Sequence, residues 1–128
     1  MDDNTIEAAF DLSEATIDEI HAAFASSTLT AERLTEAYLD RIAEHADTLN
    51  AVITVNDDAV ERAGELDAQF EADGPVGPLH GIPTTVKDNH DTADMPTTAG
   101  SQRFAEFVPD EDAFVVEQLR EAGAVIVA

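Results

Sequence analysis

Lys87 is the only lysine in the chain, and it sits in an unusual stretch, residues 77–101: GPLHGIPTTVKDNHDTADMPTTAGS. Pro78 and Pro83 fix the backbone and remove two donors, and Gly77 and Gly81 permit turns that other residues resist. From Ile82 to Val86 the β-branched residues Ile82, Thr84, Thr85 and Val86 favour a strand, and Pro83 places an irregular start or an edge there. Asp88 and Asn89 bring turn chemistry. Lys87 is therefore expected at the carboxyl end of a strand, where open α/β sheets bind ligands. An amine half-buried there can lose its proton and act as a base, because desolvation disfavours the ammonium form. The plainer alternative makes Lys87 an ordinary cation paired with Asp88 or Asp91.

The neighbouring polar residues offer two further chemistries. Thr97, Thr98, Gly100 and Ser101 form a small polar loop whose hydroxyls can satisfy nearby backbone groups. A Ser101–Lys87 pair is the alternative, since a Ser-Lys pair suffices in some hydrolases. His80 and His90 flank Lys87, with Asp88, Asp91 and Asp94 close in sequence. No pair among them has the spacing of a known metal motif, so no metal is expected.

The surrounding elements alternate between helix and strand. Residues 13–25 read as a first helix, with Ile17, Ile20 and Phe24 on one face. Thr16 and Glu19 form a possible capping box that would start it slightly later. Thr30 caps a second helix reaching about residue 45, with Leu34, Tyr38 and Ile42 as its apolar stripe. Residues 50–55, NAVITV, read as a short strand. Asn56 or Asp57 then caps a third helix through about residue 71, burying Val60, Ala63, Leu66 and Phe70. After a mixed connector at 104–112, Asp110 or Asp112 caps a helix to residue 122, with Ala113, Val116 and Leu119 inward and Gly123 as its stop. Residues 124–128, AVIVA, read as a buried parallel strand. Strand, helix and strand make a βαβ unit.

Composition narrows the function classes. The formal net charge is −22, with 28 acidic residues against 6 basic ones, spread along the chain. Such a surface disfavours direct nucleic-acid contact, which needs basic patches, and attraction to an anionic membrane. It fits a chain adapted to high salt, where its self-repulsion is screened. The 44% hydrophobic content is enough for a core. With no cysteine there is no disulfide, thiolate nucleophile or zinc-thiolate site. No apolar run approaches the ~20 residues that span a membrane. The start, MDDNTIEAAFD, lacks the form of a signal peptide, and residues 1–11 are expected to be flexible. A cytoplasmic location is the default expectation.

GPLHGIPTTVKDN, followed by MPTTAGS, closely resembles the amidase signature family, serine hydrolases with a Ser-Ser-Lys triad. The resemblance continues through DAFVVEQLREAGAVIVA and, more loosely, SSTLTAERLTEAYLDRIAEHADTLNAVITV. It implies an α/β fold, a mixed sheet sandwiched by helices, of which residues 1–128 would be the amino-terminal part of a single domain. It also implies that Lys87 is the catalytic base, with Asp88, Asn89, Thr98, Gly100 and Ser101 as a supporting loop. The bridging cis-serine and nucleophilic serine of the family follow in a Gly/Ser-rich stretch that this sequence does not contain. The resemblance thus leads to the expectation of a truncated amidase, inactive alone, with no cofactor and a small-molecule amide as substrate of the complete enzyme. The family includes the glutaminase subunit of the tRNA-dependent amidotransferase, so amidotransferase subunits or a homo-oligomer are the partners implied. A non-catalytic folded remnant or interaction piece is the alternative from a different class.

Overall fold

The computed structural model describes Ile6 and residues 10–128. The polar start expected to be flexible lies largely outside the described residues.

Among the described residues from 10 onward, three helices come first. α1, Ile17–Ala25, begins with the capping box. The Thr16 hydroxyl accepts from Glu19 N–H at 3.2 Å, and Glu19 Oε2 accepts from Thr16 N–H at 2.8 Å. Two of the helix's orphan donors are satisfied this way. α2, Ala31–Leu49, is capped by Thr30, whose hydroxyl accepts from Arg33 N–H at 3.2 Å. It runs a turn beyond the expected end near residue 45, because no glycine or proline intervenes before Asn50. Asn50 then stops it in the left-handed conformation, φ 49°.

α3, Ala59–Asp73, packs against α2. Asp67 on α3 holds the start of α2, its carboxylate accepting from Ala31 N–H at 2.7 Å and Glu32 N–H at 2.9 Å. An anion at a helix amino terminus is favourable through the helix dipole as well as through the bonds. Asn56 starts α3 in a different way from the expected N-cap. Its side-chain oxygen accepts from Asp58 N–H at 3.0 Å, two residues on, as an Asx turn.

β1, Pro83–Thr84, and β2, Val125–Ile126, pair in parallel with Pro83 opposite Val125. Backbone bonds lengthen this short ladder at both ends: Gly81 N–H to Gly123 C=O at 2.9 Å, and Val86 N–H to Ala128 C=O at 3.1 Å. The connection carries α4, Phe114–Glu121, which completes the expected βαβ unit. The cap differs from expectation. Ala113 stands at the N-cap of α4, and Asp112 instead accepts from Ala93 N–H at 2.8 Å and lies 2.9 Å from Arg120 Nε.

The expected strand at 50–55 does not form. Asn50 leaves α2 left-handed, Ile53 and Val55 are exposed, and the segment lays no ladder on a neighbour. Only its end is fixed to the sheet, where Asn56 N–H donates to Val127 C=O at 2.9 Å.

Among the described residues the core has two parts. Leu34, Leu66, Phe24, Val125 and Val127 fill the larger one, between α1–α3 and the sheet. Val116, Met95 and Ile126 fill the smaller one, with Ala113 and Leu119 packed against it as expected. Alternate residues of the AVIVA run thus feed opposite sides, as a strand buried on both faces requires. Gly123 is needed where α4 turns into β2. Its φ is 96°, and a Cβ there would lie 2.6 Å from the Cα of His80.

Candidate active site

Lys87 follows β1 and lines a cleft of about 710 Å³ at the carboxyl end of the two strands. One wall is the 51–54 segment, where the sequence pointed to a strand. The other is built from residues 85–90 and from Met95, Pro96, Ala99 and Gly100, with Ala128 at the strand end. The sequence reading of this wall as a strand misled, because a run of apolar and β-branched residues does not tell whether a sheet partner lies alongside.

The loop beyond Lys87 closes as a tight turn. The Lys87 carbonyl accepts from His90 N–H at 3.0 Å, and His90 Nδ1 lies 3.1 Å from the same oxygen. Asp88 ties this turn to the next loop. Its Oδ1 accepts from Thr98 N–H at 3.1 Å, its Oδ2 accepts from the Thr98 hydroxyl, and its carbonyl accepts from Ala99 N–H at 2.7 Å. Gly100 N–H then donates to the Thr98 hydroxyl oxygen at 3.1 Å. Thr97 adds a brace, with its hydroxyl oxygen accepting from Thr92 N–H at 3.2 Å and its own N–H donating to Phe107 C=O at 2.8 Å.

Lys87 is exposed, where the sequence led us to expect half-burial. The strand ends before it and the chain turns outward at Asp88. Among the described residues it makes no ion pair, with Asp88 or with Asp91. Lys87, Asp88, Asn89 and Gly100 all line the cleft. Thr98 is buried behind it, 6% exposed. Ser101 does not line the cleft. Its hydroxyl accepts from Arg103 N–H at 3.3 Å and caps a short 3-10 turn, Gln102–Phe104.

The two histidines have separate structural settings. His80 is 1% exposed, its Nδ1 accepts from Val76 N–H at 3.1 Å, and its ring packs 5.5 Å from that of Phe70. Burial pushes its pKa below the usual histidine range. Among the described residues no group of three or more potential ligands is arranged to hold a metal ion. No described helix is long and apolar enough to cross a membrane.

Comparison with known proteins places this geometry. The Amidase family model matches residues 33–128. A glutamyl-tRNA(Gln) amidotransferase subunit from Lawsonia intracellularis is 44% identical over 110 residues, covering 85% of this chain and 22% of the relative. The peptide amidase of Stenotrophomonas maltophilia superposes with a TM-score of 0.88 at 41% identity, covering 92% of this chain and 25% of that one. An amidase family protein from Bacillus anthracis gives 0.90 at 37% identity, covering 100% and 26%. The chain spans about a quarter of the length of these relatives. With the family model matching residues 33–128 and solved amidases superposing over 92% and 100% of its length, the chain belongs to the amidase signature family.

Proposed function

We propose that Lys87 is the proton acceptor of an amidase-type hydrolase whose complete protein cleaves a carboxamide C–N bond. The observation that carries this is the placement of Lys87: it lines the cleft at the carboxyl end of the strands, with the adjacent carboxylate engaged by Thr98. In this chemistry the Lys87 amine accepts a proton through a bridging serine while a nucleophilic serine attacks the amide carbonyl. Backbone N–H groups would stabilise the oxyanion, the amine leaves with a proton, and water releases the acid from the acyl-enzyme. Residues 1–128 contain Lys87 and not the Gly/Ser-rich stretch with the two serines.

The test uses the longest reading frame that carries this segment. Lys87→Ala is expected to lower amide hydrolysis by about a thousandfold or more while keeping the fold. Lys87→Arg should fail equally, since guanidinium stays charged. Near wild-type turnover in either variant would remove Lys87 from the chemistry and favour the non-catalytic remnant. Residues 1–128 expressed alone are expected to release no ammonia from simple amides or glutamine.

The similarity to the Lawsonia amidotransferase protein favours a second reading, the glutaminase-type subunit of a tRNA-dependent amidotransferase. In that case glutamine is the amide substrate and other amidotransferase subunits are the partners. Glutamine hydrolysis that appears only when such subunits are added separates it from a free-standing amidase.

A further inference from the structure

Lysine and aspartate are sequence neighbours at 87–88, yet they do not pair. Both carboxylate oxygens of Asp88 are taken by one residue, Thr98, through its backbone N–H and its hydroxyl. The hydroxyl can donate in only one direction. Because it accepts from Gly100 N–H, its own proton is free to go to Asp88. The same contacts hold Ala99 and Gly100 in the left-handed region, φ 51° and 74°. For alanine that conformation costs roughly 1 kcal/mol or more, so it persists only where several bonds impose it.

We propose that Asp88 and Thr98 form a latch that keeps the carboxylate beside Lys87 away from its amine, making both positioning residues for a base that needs no counterion. A free carboxylate one residue away would favour the ammonium form and oppose proton acceptance. Thr98 removes that carboxylate without burying it unpaired, because two donors replace the water it loses. Asp91, the other acidic residue near Lys87 in sequence, is exposed; its backbone carbonyl accepts from Ala113 N–H at 2.9 Å, and among the described residues its carboxylate makes no ion pair with Lys87. The assignment of a base rests on the proposed function; the latch itself does not.

Because Lys87 is the only lysine, its reactivity can be read without interference. Residues 1–128 are treated with acetyl N-hydroxysuccinimide at fixed pH and ionic strength, and peptide mapping separates acetylation at Lys87 from the amino terminus. Thr98→Val is expected to slow Lys87 acetylation about threefold or more, with the amino-terminal rate as an internal control, because the released Asp88 carboxylate then stabilises the ammonium form. The double variant Asp88→Asn/Thr98→Val should return to the wild-type rate, and Thr98→Ser, which keeps the hydroxyl, should never leave it. An unchanged rate in Thr98→Val, or a slow rate that persists in the double variant, overturns the latch. A variant that fails to fold leaves a test on the wild type. The Thr98 hydroxyl proton should exchange slowly enough with solvent to be seen by NMR, and its absence also overturns the latch. Lys87→Ala turnover addresses the base separately, so the two can fail independently.

Discussion

The side chain of Asn56 donates to the carbonyl of Ile126 at 2.8 Å, joining the end of the 51–55 segment to the buried strand β2. The same amide lies 3.2 Å from Asp94 Oδ2, and its oxygen accepts from Asp58 N–H at 3.0 Å. Asn56 is 4% exposed, so these bonds are made out of water. One side chain thus starts α3, satisfies a buried strand carbonyl and fixes one wall of the Lys87 cleft.

Asn56→Ala is therefore expected to lower stability by about 2–3 kcal/mol, since it leaves buried partners unsatisfied. Asn56→Asp should cost more, because a carboxylate would face both the Ile126 carbonyl and Asp94. Urea denaturation of residues 1–128 measures both. An Asn56→Ala midpoint equal to wild type would mean that water replaces the side chain freely at this site.

His80 gives a pH dependence whose sign is fixed by burial. Desolvation lowers its folded pKa below the unfolded value of about 6.5, with the Leu66 backbone and Asp67 compensating only in part. The unfolded chain then binds the proton more readily than the folded one. Stability contributed by neutral His80 is complete above that unfolded value, declines as the pH falls through it, and levels off below the folded pKa. Glu19 acts in a separate window. Its bonds to the Thr16 backbone and hydroxyl hold it below the usual carboxylate range, so the capping box is lost only at more acid pH. Melting temperatures across pH 5–7 should fall toward acid in the wild type. The slope should flatten in His80→Phe, and an equal slope in both chains would assign the effect to other groups.

The motif around Lys87 was legible because its types are unusual together: prolines, β-branched residues and one lysine before Asp-Asn. The capping box at Thr16 was equally legible, since both partners are three residues apart. Partnerships across the chain were not. Nothing in the local pattern tells that Asp67 caps α2 from α3, that Asp112 forgoes the start of α4 for Ala93 and Arg120, or that NAVITV finds no strand to pair with. Each depends on which element lies alongside, and helix or strand propensity carries no such information. The exposure of Lys87 was missed for the same reason, because the turn that carries it outward is closed by Thr98, ten residues beyond Asp88.

The excess of acid is concentrated enough on α2 to test. Glu32, Glu36, Asp40 and Glu44 recur every four residues along that helix, and all four are exposed. Residues four apart face one another on a helix, so this is a stripe of three like-charged neighbour pairs, each destabilising by roughly 0.2–0.5 kcal/mol at low salt. No basic residue stands in the last turn of α2 to offset the stripe or to complement the helix dipole. Salt at molar concentration shortens the Debye length to about 3 Å and screens such neighbours. We therefore expect residues 1–128 to gain helix content and thermal stability between low salt and molar KCl. Glu36→Lys turns two of the three repulsions into attractions and should stabilise the chain by about 0.5–1 kcal/mol at low salt. That gain should vanish in molar KCl if screening is the mechanism. Thermal melts of both chains at both salt levels decide it. A gain of equal size at high salt would point to helix propensity, and a wild type equally stable at both levels would remove the case for adaptation to salt.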